Sequence, residues 1–258
     1  MRNVQEFVYL ENQYLWLHAY YGIDIPFVSS DSAEMELILR ELGAALQRGA
    51  SMSIILPDHP NVGRAFSDEG LMRLRNEAPQ AEEEGRIHAF CLATSTRENG
   101  KENYRPIYVH AKAGIVDDLW STIGSGNLNN RGMRDDTEMN VATLNSELTR
   151  GLRLMLQAEH LELVEANDLL VLSRFLGKNK QSATEYKRGE QLLVYLQETL
   201  DDPLAAMHMM SERAWENLRR YKANQPLVGH LLPYLTGDEA VQQGLNFHEE
   251  HGWIEAPN

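Results

Sequence analysis

The chain has 258 residues, of which 43% are hydrophobic, and its formal net charge at pH 7 is −14. This composition indicates a folded globular protein, and the acidic balance argues against a broad basic surface for nucleic acid. The single cysteine, Cys91, excludes a disulfide within the chain, and we expect it to be a small core residue.

The N-terminal segment lacks the pattern of a signal peptide, because no apolar run follows a basic start. Nowhere does the sequence contain the roughly 18 consecutive apolar residues that a membrane-spanning helix needs. The sequence therefore predicts a soluble chain, either cytoplasmic or exported by a route that uses no signal peptide.

A first strand is predicted over residues 7–10, which are β-branched and aromatic. Three polar residues end it, Glu11, Asn12 and Gln13, and polar side chains at the end of a strand often line a site. A strand edge that meets solvent is an equally good interpretation of these three residues alone. An aromatic cluster follows, which favours either packing or contact with an acyl chain: Tyr14, Trp16, Tyr20 and Tyr21.

Strands and helices then alternate. Asp31 and Glu34 predict a capping box for a helix that ends at Gly49. Further along, the pattern predicts strands over residues 52–57, 87–92 and 107–116, a helix over 68–84 broken at Pro79, and a surface loop over 95–105. This alternation is typical of a sheet covered by helices.

The pattern changes after Ser146, where apolar residues recur at helical spacing. We therefore predict an α/β half-domain over residues 1–146 and a mostly helical extension over 147–258. The extension is expected to pack on the same core or to form a partner surface.

The most informative stretch lies between these regions. His110 and Lys112 are two residues apart, which in an extended strand places both side chains on one face. His110 can act as a nucleophile or as an acid and base near neutral pH. Lys112 supplies a positive charge for phosphoryl oxygens, and Ser125 and Asn127 supply hydrogen-bond donors beside two glycines.

Two acidic residues complete the candidate catalytic set. Asp117 stands at a turn, where bracing the loop is a better interpretation than contact with substrate. Glu138 can accept a hydrogen bond from a histidine ring. Because metal-ligand motifs such as His-Glu-x-x-His are absent, we predict neither a metal nor a cofactor.

These residues carry a resemblance to a known family. The pattern His110-x-Lys112-x4-Asp117-x6-Gly124-Ser125-x-Asn127 resembles the HKD signature of the phospholipase D superfamily. Residues 127–131 and 136–138 resemble the second HKD half of phospholipases D, and residues 9–14 resemble the strand motif before that half. The resemblance implies an α/β fold, a layered α/β/α sandwich, followed here by a mostly helical C-terminal region.

It also implies that two HKD halves form one active site. One histidine forms a phosphohistidine intermediate, and the other protonates the leaving alcohol and then activates the acceptor. When the roles of the family are applied to the matching positions of this sequence, His110 is the acid and base. Lys112 and Asn127 then hold phosphate, and Glu138 orients a histidine of the partner half. None of the other eight histidines precedes a lysine by two positions. The second half is therefore expected from a homodimer mate, a separate N-terminal half or a missing segment of a longer product.

The leading functional prediction is a phospholipase D-type phosphodiesterase that cleaves phospholipid head groups by hydrolysis or transfer. The acidic balance disfavours nucleic acid as a partner. The alternatives are a homodimeric nuclease, a phosphatidyltransferase and a non-catalytic partner half. Intact His110, Lys112 and Asn127 count against the last of these.

Overall fold

A computed structural model describes residues 2–20, 29–60 and 62–254. Eight of its strands form one mixed sheet, and two short strands, β2 and β3, form a separate ribbon. The strands in chain order are β1 (Phe7–Asn12), β2 (His18–Tyr20), β3 (Ser29–Asp31), β4 (Ser51–Ile55), β5 (Ile87–Glu98), β6 (Lys101–Pro106), β7 (Lys112–Val116), β8 (Trp120–Gly124), β9 (Asn140–Thr143) and β10 (Leu231–Pro233).

Helices cover both faces of the sheet, so the expected three-layer α/β/α fold with a mostly helical C-terminal region is confirmed. The helices are α1 (Ala33–Gln47), α2 (Arg64–Glu77), α3 (Pro79–Glu83), α4 (Ser146–Leu161), α5 (Ala166–Leu176), α6 (Ala183–Leu200), α7 (Pro203–Lys222) and α8 (Gly237–Gln242), with one π-helical turn at Arg131–Asp135. Within the described ranges, no helix combines the length and apolar character needed to cross a bilayer.

The sheet order is β10-β5-β4-β1-β7-β8-β9, with β6 paired to β5. Strands β1, β4 and β5 are parallel, whereas β7, β8 and β9 follow β1 in antiparallel pairs. Every residue of β1 is buried, as expected for a central strand covered on both faces. Phe7 and Tyr9 enter the core beneath α4–α7, and Val8 and Leu10 enter the core beneath α1 and α2.

The C-terminal region is built into this sheet. Helices α4–α7 share one apolar core with β1, β4, β5 and β7, and β10 pairs with β5. The buried Arg153 of α4 binds both carboxylate oxygens of Asp118 in the β7–β8 turn, at 2.7–3.0 Å. The division at residue 146 stays a prediction, and in space the two segments share one apolar core.

The predicted surface loop over residues 95–105 is wrong, because this segment is the hairpin of β5 and β6. Its sequence is polar, yet Glu102 and Tyr104 alternate with exposed residues in the period of a strand. The turn is made by Asn99 and Gly100, whose φ angles are 52° and 83°, the conformation that tight hairpins need.

Three boundaries also differ from the predictions. The strand predicted over 107–116 begins only at Lys112, so His110 precedes it. Ser32, not Asp31, caps α1, because the Ser32 hydroxyl accepts from the Met35 N–H at 3.4 Å. The helix predicted over 68–84 begins earlier, because α2 starts at Arg64.

Candidate active site

The predicted site residues gather at one edge of the sheet because of strand direction. β1 and β8 end at this edge, and β7 and β9 begin there. Asn12 is paired with Lys112 across β1 and β7, and Gly124 is paired with Asn140 across β8 and β9. The residues just outside these strand ends, Gln13, His110 and Asn127, are therefore brought close together.

Gln13 binds two of the three side chains that were predicted to hold phosphate, Lys112 and Asn127. The Lys112 ammonium donates to Gln13 Oε1 at 3.0 Å and to the His110 carbonyl at 2.9 Å. The Asn127 amide donates to the same Gln13 oxygen at 3.4 Å. Lys112 and Gln13 are both buried, with 7% and 5% exposure. Two side chains that were predicted to hold phosphate thus converge on one carbonyl oxygen.

His110 is exposed beside this buried pair. The prediction that His110 and Lys112 share a strand face is wrong, because His110 lies in the irregular segment before β7. Its link to Lys112 is its backbone carbonyl, not its ring. The ring lies 5.6 Å from the Tyr108 ring, centroid to centroid, and Tyr108 in turn accepts a hydrogen bond from the Gln13 amide. An exposed imidazole in this segment can donate a proton to the leaving oxygen of a phosphodiester and accept one from an attacking alcohol or water.

Two effects on the pKa of Lys112 oppose each other. Burial lowers the pKa of Lys112, and the charge of Glu138 raises it in part. Glu138 is half-buried, and no hydrogen bond to another described residue occupies its carboxylate. Contact of Glu138 with a partner's histidine stays a prediction.

The segment from Gly124 to Asn127 lies against the start of β9. A side chain at Gly124 would meet Asn140 Oδ1 at 2.0 Å and the Met139 carbonyl at 2.3 Å, so only glycine allows this approach. The Ser125 hydroxyl accepts from the Met139 N–H at 3.0 Å, and the Gly126 N–H donates to Asn140 Oδ1 at 3.1 Å. Ser125, predicted to bind phosphate, is therefore tied to the backbone of β9.

Asp117 is far from this edge. It follows the other end of β7, which at about 3.3 Å per residue is about 16 Å along the strand from Lys112. Its carboxylate accepts from the N–H groups of Gln5, Glu6 and Phe7 at 2.8–2.9 Å. The structure thus gives Asp117 a bracing contact and places it away from the site, although it belonged to the predicted catalytic set.

The residues predicted to line the site divide between the two faces of the sheet. Asn12 Oδ1 accepts from the Tyr14 and Leu128 N–H groups at 3.2 and 3.1 Å, which ties the end of β1 to the segment after Asn127. Glu11 points to the opposite face, where it binds the Tyr9 hydroxyl at 2.6 Å and His160 Nε2 at 2.9 Å.

His160 was not identified from the sequence. It lies on α4, is 3% exposed, and contacts Glu11 and Glu159, the latter at 2.5 Å. Burial lowers the pKa of His160, but the hydrogen bonds and charges of the two glutamates outweigh burial and raise the pKa to about 9. No local pattern signals this contact, because 149 positions separate His160 from Glu11.

Tyr108 and Asn140 were also missed, although the sequence holds a signal for each. Tyr108 precedes His110 by two positions, the same interval that separates His110 from Lys112. Asn140 is a polar residue at the start of an apolar strand, two positions after Glu138. Burial, followed by the charge of Tyr108 and the hydrogen bond to it, raises the pKa of Tyr14 to about 12.

A family model described as "Cardiolipin synthase, PLD-like domain" matches residues 13–158, more than half of the chain. The chain belongs to the phospholipase D superfamily. The resemblance drawn from the HKD pattern is thereby confirmed, and the superfamily consists of phosphodiesterases and phosphatidyltransferases.

The individual relatives share about a quarter of the aligned residues with this chain. The chain is 27% identical over 124 residues to cardiolipin synthase A of Pseudomonas entomophila, covering 48% of this chain and 22% of the relative. It is 26% identical over 148 residues to cardiolipin synthase A of Pseudomonas aeruginosa, covering 57% and 26%. The chain thus spans about a quarter of the length of these curated relatives. Among solved structures, NucT from Helicobacter pylori matches with a TM-score of 0.39 and 17% identity, covering 59% of this chain and 77% of that one.

Proposed function

We propose that this chain supplies one catalytic half of an enzyme that cleaves the phosphodiester of phospholipid head groups and transfers the phosphatidyl group to an alcohol or to water. The observation that carries the proposal is the convergence of Lys112 and Asn127 on Gln13, with the His110 imidazole exposed beside them. This arrangement offers two donors for phosphoryl oxygens and one group for proton transfer. The family model and the curated relatives carry the name cardiolipin synthase, which favours a lipid alcohol as the acceptor.

In the proposed reaction, the histidine of the partner half attacks phosphorus. A P–N bond forms, the P–O bond to the head group breaks, and His110 gives its proton to the leaving alcohol oxygen. The acceptor alcohol or water then gives its proton to His110, and its oxygen attacks phosphorus while the P–N bond breaks. Lys112 and Asn127 hold the non-bridging oxygens in both steps, where the negative charge is concentrated.

The proposal needs a second His-Lys-Asn set, and the chain presents a surface for a partner next to the site. β9 is the last strand of the sheet, and its neighbourhood exposes large apolar side chains. Met139 is 77% exposed and Val141 is 71% exposed, which is unusual for a strand unless another surface covers it. Met139 also holds the Ser125 hydroxyl, so a half docked on β9 would contact the site segment directly. We assign this surface to a second HKD half, and we propose that this half is a second copy of the chain.

The test combines association with substrate class. Sedimentation gives the dimer fraction of the purified chain, and vesicles of phosphatidylglycerol or phosphatidylcholine give released head group and transfer product. The proposal is supported if activity rises with the dimer fraction, and if Val141→Asp lowers both the dimer fraction and the activity. A dimeric chain that cleaves DNA and spares both lipids would refute the lipid assignment. A chain that stays monomeric and turns over either lipid alone would refute the need for a partner half.

A further inference from the structure

The Gln13 side chain joins three different segments of the candidate site. Its side-chain oxygen accepts from Lys112 and from Asn127, and its side-chain nitrogen donates to the Tyr108 hydroxyl. Gln13 is 5% exposed and lies just beyond the end of β1. Both ends of its amide are therefore occupied by groups from other segments.

We infer that Gln13 is the positioning residue that holds Lys112 and Asn127 in register for the phosphate and fixes both relative to the His110 segment. The inference rests on the proposed function for the identity of the phosphate, whereas the contacts stand independently of it. Gln13 touches no reacting atom, so its role is exerted through the side chains it binds.

The donor count explains why an acceptor is needed at this position. An ammonium has three N–H donors, and two of those on Lys112 go to Gln13 and the His110 carbonyl. One donor is left for a phosphoryl oxygen. The Asn127 amide has two N–H donors, and one goes to Gln13. A single oxygen thus anchors both side chains and leaves one donor on each for a phosphoryl oxygen.

The amide orientation is fixed by its neighbours. If the Gln13 amide were reversed, its N–H groups would face the donors of Lys112 and Asn127, and its oxygen would face Tyr108. Tyr108 also shares a hydrogen bond with Tyr14, and its ring lies 5.6 Å from that of His110. The Tyr108 phenol therefore connects the phosphate-holding pair to the segment that carries the histidine.

The charge of the residue at position 13 also matters. Glutamine accepts two hydrogen bonds without adding a negative charge next to the site of an anionic substrate. Burial lowers the pKa of Lys112, and a neutral acceptor stabilises the ammonium against that effect. A carboxylate at this position would stabilise the ammonium more strongly and would repel the phosphate.

Two variants distinguish positioning from a merely structural role. Gln13→Leu removes the acceptor, so we expect a further fall in the Lys112 pKa and a tenfold to hundredfold weaker affinity for inorganic phosphate, the usual range for a lost hydrogen bond to a charged group. Gln13→Glu keeps the acceptor and adds charge, so we expect the Lys112 pKa to rise while phosphate affinity still falls. Opposite pKa shifts with the same loss of binding are not expected from a general loosening of the fold.

The measurement is NMR titration of the lysine side chains in the full chain, with Lys112→Arg used for assignment among the six lysines. Inorganic phosphate is the probe for affinity. Gln5→Leu is the matched control, since the Gln5 side chain is exposed and bonds only the Asn3 carbonyl. If neither Gln13 variant moves the Lys112 pKa or the phosphate affinity beyond the control, the inference is wrong. Failure of the proposed function would appear separately, as a wild-type chain that binds phosphate but turns over no phosphodiester.

Discussion

His160 should make the stability of this fold depend on pH in the neutral to alkaline range. The ring is buried and contacts two carboxylates, Glu11 at 2.9 Å and Glu159 at 2.5 Å. Burial lowers the pKa of His160, but these contacts outweigh burial and raise the pKa from its ordinary 6.5 to about 9. The folded state therefore binds the histidine proton more tightly than the unfolded state does.

The direction and size of the effect follow from this difference. The stabilisation is fully present below the unfolded pKa of 6.5, and it is lost as pH rises through the folded pKa of about 9. Each pKa unit corresponds to about 1.4 kcal/mol, so the contribution of His160 to the free energy of unfolding should fall by about 3 kcal/mol between roughly pH 6 and pH 9.

Urea denaturation of wild type and His160→Gln at half-unit pH steps measures this contribution. The variant removes the cation but keeps a polar side chain of similar size, so the difference between the two unfolding free energies isolates the histidine. At pH 6 the variant should be less stable by about 3–5 kcal/mol, the usual cost of breaking a buried ion pair. By pH 9 the difference should have shrunk by about 3 kcal/mol.

His230→Gln is the matched control. His230 faces the same Glu159 at 3.7 Å, but its side chain is 28% exposed, so we expect this variant to keep the pH dependence of the wild type. If the wild type and His160→Gln instead gave parallel stability curves from pH 6 to pH 9, His160 would not be a buried cation and the reasoning would fail.

Two further predictions concern charged groups away from the site. Asp117→Asn replaces one acceptor oxygen with a donor beside backbone N–H groups, so it should lower the free energy of unfolding by about 1–3 kcal/mol in urea titrations. Affinity for inorganic phosphate should not change, and a large loss of affinity would contradict the bracing role. Arg153→Lys removes the guanidinium that binds Asp118 and the Leu200 carbonyl. This change should lower the free energy of unfolding by about 3 kcal/mol in the same assay. Arg150→Lys, at a more exposed ion pair, should cost less than about 1 kcal/mol, and equal losses would refute the argument.

The sequence was most informative where spacing alone determines proximity. His110, Lys112 and Asn127 share a short stretch, so the antiparallel β7–β8 pair brings them together whatever the rest of the chain does. The alternating strands and helices likewise predicted the layered fold. The polar β5–β6 hairpin was missed because one face of it is exposed, and hydrophobicity carries little signal there.

The remaining features depend on contacts between distant residues. Gln13 was predicted to line the site, but its bond to Lys112 joins residues 99 positions apart and is determined by the pairing of β1 with β7. The direction of β7 likewise places Asp117 at the opposite edge of the sheet, where it makes the bracing contact that its turn position favoured. The Glu11–His160 pair requires α4 to pack on β1, and no local pattern encodes that packing.

The most direct test of the central claim is the dependence of phospholipid head-group turnover on His110. The comparison uses the wild-type chain, His110→Ala and His208→Ala, with circular dichroism to establish that all three fold alike. His208 is an exposed residue of α7 outside the site and serves as the matched control. We expect His110→Ala to abolish release of the head-group alcohol and of the transfer product, and His208→Ala to keep both. Undiminished turnover in folded His110→Ala would contradict it.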